Sequence, residues 1–323
     1  MRVLSGIKPT GKLHLGNYFG AVRQFIDFQE KYSDIFVFVA NYHALTTMPD
    51  PKENRERTLD IMLDYLALGL DPKKVTLFLQ SDVPELCELT WFLTCVTPMG
   101  LLERGHSYKD RMAKEEAVNH GVFAYPVLMA SDILIYQSNL VPVGKDQKQH
   151  IEIARDIAIK FNNTYGEVFT IPEDRIVENV AVVPGTDGRK MSKSYDNTIE
   201  VFATPKKTKE AVMRIVTDST PLEEPKNPDG CNVIALYKLF ATTDELDAMK
   251  ANYRGGNYGY GHAKMALNEK INEYFAPFRE KRIELAAKPD YVADVVHEGG
   301  KRARAVAIET LKKAREAMGI LEI

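Results

Sequence analysis

The chain has 323 residues, of which 45% are hydrophobic and 27% charged, so it is long enough for about two domains with buried cores. Its net charge of −3 excludes strong long-range attraction of a polyanion, and any nucleic acid would have to bind through local basic patches. Three scattered cysteines exclude a disulfide framework and a zinc site. Together with the lack of an apolar leader or a membrane-length apolar run, they predict a cytoplasmic protein without a membrane segment.

Strand-like and helix-like segments alternate through the first part of the chain. Apolar runs of strand length cover residues 2–5, 35–40, 75–79 and 140–143. Helical periodicity covers residues 16–31, 52–69, 85–104 and 148–162. This alternation predicts an α/β fold, a Rossmann-type doubly wound parallel sheet with helices on both faces.

The pattern changes after about Ser194, where strand-like runs end and helical patterns continue alone. They cover residues 206–216, 232–241, 243–253, 262–287 and 291–318. The sequence therefore predicts a catalytic α/β domain over residues 1–195 and a second, all-helical domain over residues 196–323.

A glycine-rich turn lies close to the start of the chain, in the stretch KPTGKLHLGNYFGA from Lys8 to Ala21. His14 and Asn17 are three residues apart at the start of a helix, where both can donate hydrogen bonds to a phosphate. Gly11 and Gly16 would let the backbone approach such a ligand. The alternative is an ordinary strand-to-helix turn in which His14 or Asn17 serves as a cap.

A second polar loop, GRKMSKS, follows the flexible residues 184–188. Lys190 and Lys193 could close over a polyphosphate and neutralise the charge that builds on a departing pyrophosphate. By itself, a lysine-rich loop is more often a solvated turn.

Together the two motifs resemble the signature pair of class I aminoacyl-tRNA synthetases. His14-Leu15-Gly16-Asn17 is similar to the His-Ile-Gly-His motif, and residues 190–194 repeat the Lys-Met-Ser-Lys-Ser loop. Residues 6–11, 125–134 and 141–150 resemble the tryptophanyl members, so the resemblance covers essentially the whole chain. It implies ATP-dependent attachment of L-tryptophan to tRNA(Trp) through a tryptophanyl-adenylate, with release of pyrophosphate and AMP.

The resemblance also implies the site residues. The groups expected to act in catalysis are His14, Asn17, Lys190 and Lys193. The expected ATP contacts are Lys8, Pro9, Thr10, Gly16, Asn17, Gly144, Lys145, Asp146, Val182, Lys190, Met191, Ser192, Lys193 and Ser194. The expected tryptophan contacts are Asp132, Tyr125, Met129, Gln147, His43 and Lys8.

Asp132 is the polar member of an otherwise apolar stretch, residues 128–135, and helical spacing would place it on one face with Tyr125 and Met129. A buried carboxylate needs a partner, and an indole N–H is one donor on a large apolar body. The alternative partner is a helix N-terminus or an arginine. By the resemblance, Asp132 accepts the indole N–H, and Tyr125 and Gln147 hold the α-ammonium group.

Lys8 stands where the bacterial relatives commonly have glutamine, and a cation there could bind the substrate carboxylate more strongly than an amide. The resemblance further implies Mg²⁺ carried on ATP, a homodimer, and an anticodon-binding role for residues 196–323, with the final helix packed back on the catalytic domain. No protein metal ligand, zinc or iron–sulfur cluster is expected, since the cluster-bearing relatives use four cysteines. Basic residues in the last helix could contact tRNA or form an ordinary mixed surface. They are Lys301, Arg302, Arg304, Lys312, Lys313 and Arg315.

Three rival functions are weighed from the sequence. The most distant is a small nucleotidyltransferase with a related histidine-containing turn, a class that lacks the segment 144–147 and the long helical tail. A tyrosyl-tRNA synthetase shares this fold, and a synthetase-like binding protein could use the same nucleotide or tryptophan site without charging tRNA.

Overall fold

The computed structural model describes residues 1–47, 49–113, 118–144, 147–176 and 183–321. The chain divides into two compact units. The sheet unit comprises Met1–Thr10, Phe25–Glu178 and Lys288–Ile323, and the helical unit comprises Gly11–Gln24 and Asn179–Ala287. The boundary drawn after residue 195 does not coincide with this division, because each unit is assembled from separate stretches of the chain.

A five-stranded parallel sheet forms the centre of the sheet unit. Its strands are β1 Val3–Ile7, β2 Ile35–Val39, β3 Val75–Leu79, β4 Leu140–Val143 and β5 Glu173–Ile176, arranged in the order β3-β2-β1-β4-β5. The strand order reverses at β1, which pairs with β2 on one side and β4 on the other. Ligands of doubly wound folds bind beyond the carboxyl end of such a strand.

The helices are α1 Leu15–Asn17, α2 Arg23–Phe28, α3 Asn41–Ala44, α4 Pro51–Ala67, α5 Glu85–Val96, α6 Met99–Glu103, α7 His106–Ala113, α8 His120–Leu134, α9 Lys148–Tyr165, α10 Pro205–Met213, α11 Asn232–Tyr237, α12 Thr243–Gly255, α13 Tyr260–Ala286 and α14 Pro289–Met318. A π-helical turn, Tyr18–Val22, joins α1 to α2. Within the described ranges, no helix combines the length and apolarity needed to cross a membrane. The observed elements confirm the predicted α/β class with a helical second part.

The C-terminal helix α14 covers the outer edge of the sheet. Among the described strands β3 pairs with β2 alone, so carbonyl groups on its other side need partners. Arg302 Nη2 donates to the carbonyl oxygens of Val75 and Pro72, both at 3.1 Å. Gly299 approaches the strand so closely that a Cβ atom there would lie 1.8 Å from the carbonyl oxygen of Leu77.

Two further arginines of α14 bind carboxylates of α5. Arg304 Nε donates to Glu85 Oε1 at 2.8 Å, and Arg315 forms a two-pronged contact with Glu88 at 2.6 and 2.7 Å. These arginines, which the sequence offered as possible contacts for tRNA phosphates, therefore already hold the last helix in place within the sheet unit.

The close approach of α14 gives a stability prediction. Gly299→Ala should lower the free energy of unfolding by about 2 kcal/mol, because the added methyl group meets backbone that no rotamer change can move. The matched control is Gly261→Ala in α13, where a Cβ has nothing within 4 Å and alanine favours the helix. Urea midpoints of the two variants would test this. Equal midpoints would contradict the close packing of α14 on β3.

Aromatic packing explains why Gly11–Gln24 belongs to the helical unit. Tyr18 Oη lies 2.8 Å from Tyr274 Oη, and the Tyr18 ring packs edge-on against Phe275 at 5.1 Å between centroids. Phe19 makes a similar edge-on contact with Phe240 at 5.2 Å. These contacts hold the glycine-rich turn against Phe240 and against α13, whose buried residues include Phe275.

Candidate active site

The two signature motifs pack against each other within the helical unit. The Leu15 N–H donates to the Ile199 carbonyl at 3.0 Å, and this bond anchors the turn beside the loop of residues 190–194. Met191 is buried, and its Sδ accepts the Gly16 N–H at 3.4 Å. A Cβ atom on Gly16 would lie 3.3 Å from Met191 Cβ, so glycine leaves room for the methionine. Lys-Met-Ser-Lys-Ser is thus seated directly on the glycine-rich turn.

His14 and Asn17 cap the start of α1 reciprocally. The Asn17 N–H donates to His14 Nδ1 at 3.3 Å, and the His14 N–H donates to Asn17 Oδ1 at 3.4 Å. Because Nδ1 accepts, the proton of the neutral ring lies on Nε2. Burial, followed by the charge of Lys193, lowers the pKa of His14 to about 4. His14 is therefore a neutral hydrogen-bond donor near pH 7, and the cap and the phosphate-donor interpretations of this residue are compatible.

This protonation state predicts a pH profile. The rate factor contributed by His14 should stay constant from about pH 8 down to about pH 6 and decline only at lower pH, since the neutral ring is the working form. The measurement is the ratio of kcat for ATP–pyrophosphate exchange between the parent and His14→Ala across this range. A histidine acting as a cation would instead lose its contribution as pH rises through its ordinary pKa of about 6.5.

Lys193 lies beside the glycine-rich turn, and its Cδ would be 3.5 Å from a Cβ atom placed on Gly11. Lys190 and Ser194 are exposed on the same loop, and Ser192 Oγ accepts the Ser194 N–H at 3.3 Å. The motif therefore combines ammonium groups with a neutral imidazole donor. That combination suits an anion with several oxygens, such as a polyphosphate.

A second polar centre lies in the sheet unit around Asp132, which is 2% exposed. Gln80 Nε2 donates to both carboxylate oxygens at 2.9 and 3.0 Å, and His43 Nε2 donates to Oδ2 at 2.8 Å. Gln80 Oε1 in turn accepts the Tyr42 and His43 N–H groups at 2.9 and 3.3 Å. The partners of the buried acid are thus an amide and an imidazole, and within the described residues neither the helix N-terminus nor the arginine expected as an alternative is among its hydrogen-bond partners.

Burial raises the pKa of Asp132, and the hydrogen bonds from His43 and Gln80 oppose that rise. Gln80 was not identified from the sequence. Its position directly after the buried strand β3 is the signal that could have found it, because polar residues at the carboxyl ends of adjacent parallel strands collect at one edge.

Three more of the expected tryptophan contacts belong to the sheet unit, and one of them, Tyr125, lies next to His43. The Tyr125 ring lies edge-on to His43 at 6.1 Å, and Tyr125 Oη is 2.9 Å from His150 Nε2. Met129 is partly buried against the core of the sheet unit. Gln147 is the N-cap residue that precedes α9, and its N–H donates to the Gly144 carbonyl at 2.9 Å.

Lys8 is the half-buried cation that follows β1. Its Nζ donates to Thr46 Oγ1 at 2.9 Å, and that hydroxyl donates to the His43 carbonyl at 2.8 Å. Burial, followed by the charge of Arg111, lowers the pKa of Lys8. Two basic side chains, Lys8 and Arg111, thus lie in this part of the sheet unit and could pair with a carboxylate.

The remaining predicted ATP contacts are distributed as follows. Pro9 is buried and Thr10 exposed just after β1, and Gly144 follows β4. Lys145, Asp146 and Val182 lie outside the described residues.

Comparisons with known proteins agree on one family. The family model described as tRNA synthetases class I (W and Y) matches residues 1–276. The chain is 60% identical over 321 residues to the Tryptophan–tRNA ligase of Fusobacterium nucleatum, covering 99% of this chain and 98% of that protein. The Tryptophan–tRNA ligase of Rhodopirellula baltica is 53% identical over 320 residues, covering 99% of this chain and all of that protein.

A solved structure agrees as well. The tryptophanyl-tRNA synthetase of Campylobacter jejuni in complex with ADP and tryptophan superposes with a TM-score of 0.94 at 51% identity, over 99% of this chain and 100% of that chain. Because the family model spans most of the sequence, the protein belongs to the class I tRNA synthetases of the tryptophan and tyrosine group.

Proposed function

We propose that the protein attaches L-tryptophan to tRNA(Trp) in two steps. Tryptophan and ATP first give tryptophanyl-adenylate and pyrophosphate, and the tryptophanyl group then passes to the terminal adenosine of the tRNA with release of AMP. The single observation that carries the proposal is the seating of residues 190–194 on the His14 turn, which gathers donors for a polyphosphate in one place. Relatives named Tryptophan–tRNA ligase over nearly their whole length support it.

The first step needs alignment and charge stabilisation more than proton transfer. The tryptophan carboxylate is already ionised near pH 7 and attacks the α-phosphorus without a general base. His14 would donate from Nε2 to a phosphate oxygen, and Lys190 and Lys193 would stabilise the negative charge on the departing pyrophosphate. Mg²⁺ would enter with ATP as the ion of the substrate, since phosphate oxygens and waters satisfy its octahedral shell.

Selection of tryptophan is proposed for the polar centre around Asp132. The carboxylate would accept the indole N–H, while Met129 would lie against the ring. Tyr125 and Gln147 would hold the α-ammonium group, and Lys8 the carboxylate. These contacts use groups whose positions within the sheet unit are described above.

Further parts of the proposal come from family membership. Pro9, Thr10, Gly144, Lys145, Asp146 and Val182 remain the proposed additional ATP contacts. Anticodon binding by residues 196–323 and a homodimeric assembly also remain predictions. Action in the cytoplasm is proposed, because ATP and tRNA are present there and the three cysteines are free thiols.

The decisive experiment is ATP–pyrophosphate exchange with tryptophan, with tyrosine and without an amino acid, followed by charging of tRNA(Trp). We expect exchange with tryptophan alone, and charging that depends on it. Exchange with tyrosine instead would favour the tyrosyl enzyme. Tryptophan binding with neither exchange nor charging would favour a synthetase-like binding protein.

A further inference from the structure

The side chain of Asn197 lies beneath the loop of residues 190–194 and is 1% exposed. Its Oδ1 accepts the Ser192 N–H at 2.8 Å, and its Nδ2 donates to the Lys190 carbonyl at 3.2 Å and to Asp187 Oδ1 at 2.7 Å. The Asn197 carbonyl accepts the Thr186 N–H at 2.9 Å. One buried residue thus binds the backbone of the loop on both sides of Met191.

The surroundings of Asn197 are shaped to hold it. A Cβ atom on Gly185 would lie 2.2 Å from Asn197 Nδ2, so only glycine leaves space for the amide. Asp196 adopts a left-handed backbone conformation, with φ at 49°, and turns the chain back under the loop. The carboxylate of Asp187 is itself fixed by Arg189, whose N–H and Nε donate to it at 3.0 and 2.7 Å.

We propose that Asn197 is a positioning residue for the reaction, which holds the backbone from Lys190 to Ser192 so that the two loop lysines are aimed at the phosphates. An amide suits this position because it accepts from an N–H and donates to a carbonyl at the same time. No other uncharged side chain of this size offers both groups in one plane. Asp187 completes the arrangement by accepting the second N–H of the amide.

The inference rests on the proposed function and adds a residue that touches neither the nucleotide nor the reacting atoms. The positioning role predicts that substitution of Asn197 changes kcat and leaves tryptophan affinity unchanged. Loss of the Asn197 contacts should slow the chemical step, because a misplaced ammonium group stabilises the transition state poorly. Binding of tryptophan should be unaffected, because the residues proposed for it belong to the sheet unit.

The principal test compares Asn197→Asp with Asn268→Asp in the full-length protein. Aspartate keeps the acceptor for Ser192 but loses both N–H donors and places a second carboxylate beside Asp187. Asn268 is the matched control, since it is a buried asparagine of the helical unit whose Oδ1 accepts from Asn272 at 3.0 Å. We expect kcat for exchange to fall about 30-fold in Asn197→Asp and less than about threefold in the control.

Two further arms separate positioning from general damage. The exchanged pair Asp187→Asn with Asn197→Asp restores a hydrogen bond between the side chains with the donor reversed, and should recover at least about fivefold of the lost kcat. Gly185→Ala should reproduce the defect without altering Asn197 itself, because its methyl group displaces the amide. Tryptophan affinity, measured by calorimetry without ATP, should stay within about twofold of the parent in all variants.

Limited trypsin digestion supplies a readout independent of activity. Cleavage after Arg189, Lys190 and Lys193 should be faster in Asn197→Asp than in the parent or in Asn268→Asp, because the loop loses its anchor. If Asn197→Asp is recovered unfolded, Asn197→Ser, which adds no charge, takes its place in the kinetic, calorimetric and digestion comparisons, and Gly185→Ala replaces the exchanged pair.

An unchanged kcat, a parallel loss of tryptophan affinity or an unchanged digestion pattern would overturn the positioning role. Absence of tryptophan-dependent exchange in the parent protein would count against the proposed function instead. In that case the digestion comparison still decides whether Asn197 anchors the loop.

Discussion

Lys193→Ala is expected to lower kcat for ATP–pyrophosphate exchange by about 10²- to 10³-fold, the range seen when one preorganised transition-state donor is removed. The Lys193 side chain lies against the glycine-rich turn, where its charge also depresses the pKa of His14. An ammonium group held there stabilises the negative charge that develops on pyrophosphate as it leaves. Its contribution therefore belongs to the transition state more than to the ground state.

Tryptophan affinity should be nearly unchanged in this variant, because the proposed tryptophan contacts lie in the sheet unit. Lys193→Arg should restore part of kcat by returning the charge with a different shape. Lys209→Ala, at an exposed lysine of α10, is the matched control and should leave kcat within about twofold. Equal losses of kcat and of tryptophan affinity in Lys193→Ala would remove Lys193 from a leaving-group role.

The fold could be predicted well where local pattern determines structure. The runs at 75–79 and 140–143 became β3 and β4 with the predicted bounds, because apolar, β-branched strands are buried on both faces. Strand β5 was missed, since Glu173-Asp174-Arg175-Ile176 has no apolar run and is recruited by pairing with β4. A strand that forms through backbone pairing alone cannot be recognised from its amino-acid composition.

Some residues of the candidate site could likewise be identified from the sequence, and others depend on contacts between distant parts of the chain. Asp132 could be identified, because a carboxylate in an apolar stretch is costly to bury unless it has a hydrogen-bond partner. Asn197 could not, since it is an ordinary amide in sequence, and Gln80 was missed although its place directly after β3 is a usable signal. Each acquires its role only when the fold brings it to a distant carboxylate or loop backbone. The assignment of Gly11–Gln24 to the helical unit likewise depends on aromatic contacts with α13 from far along the chain.

Asp132→Asn is the second change with a large expected effect. We expect kcat/KM for tryptophan to fall about 10²-fold, because a charged acceptor for the indole N–H becomes a neutral amide. The new amide group would also face two donors, Gln80 Nε2 and His43 Nε2, and can accept from both only by turning its N–H₂ away from them. Discrimination against tyrosine and phenylalanine should fall, since the site no longer offers a charged acceptor to the indole N–H.

The fold should tolerate this substitution. Burial raises the pKa of Asp132, which means that the charged form is disfavoured in the folded state relative to the unfolded chain. A neutral side chain of the same shape removes that cost, which offsets the poorer hydrogen bonding of the amide to Gln80 and His43. Asp64→Asn, at a buried aspartate of α4, is the control for a general effect of losing an interior carboxylate. It should leave the ranking of tryptophan over tyrosine intact.

The raised pKa also sets the pH dependence of substrate selection. Protonation of Asp132 occurs at a higher pH than for an ordinary aspartate, so kcat/KM for tryptophan should begin to fall at correspondingly less acidic pH. In Asp132→Asn that decline should be absent, because the side chain has no proton to gain. Exchange assays with the three aromatic amino acids across acidic pH would measure both effects. Identical profiles and unchanged amino-acid ranking in parent and variant would show that another group recognises the indole.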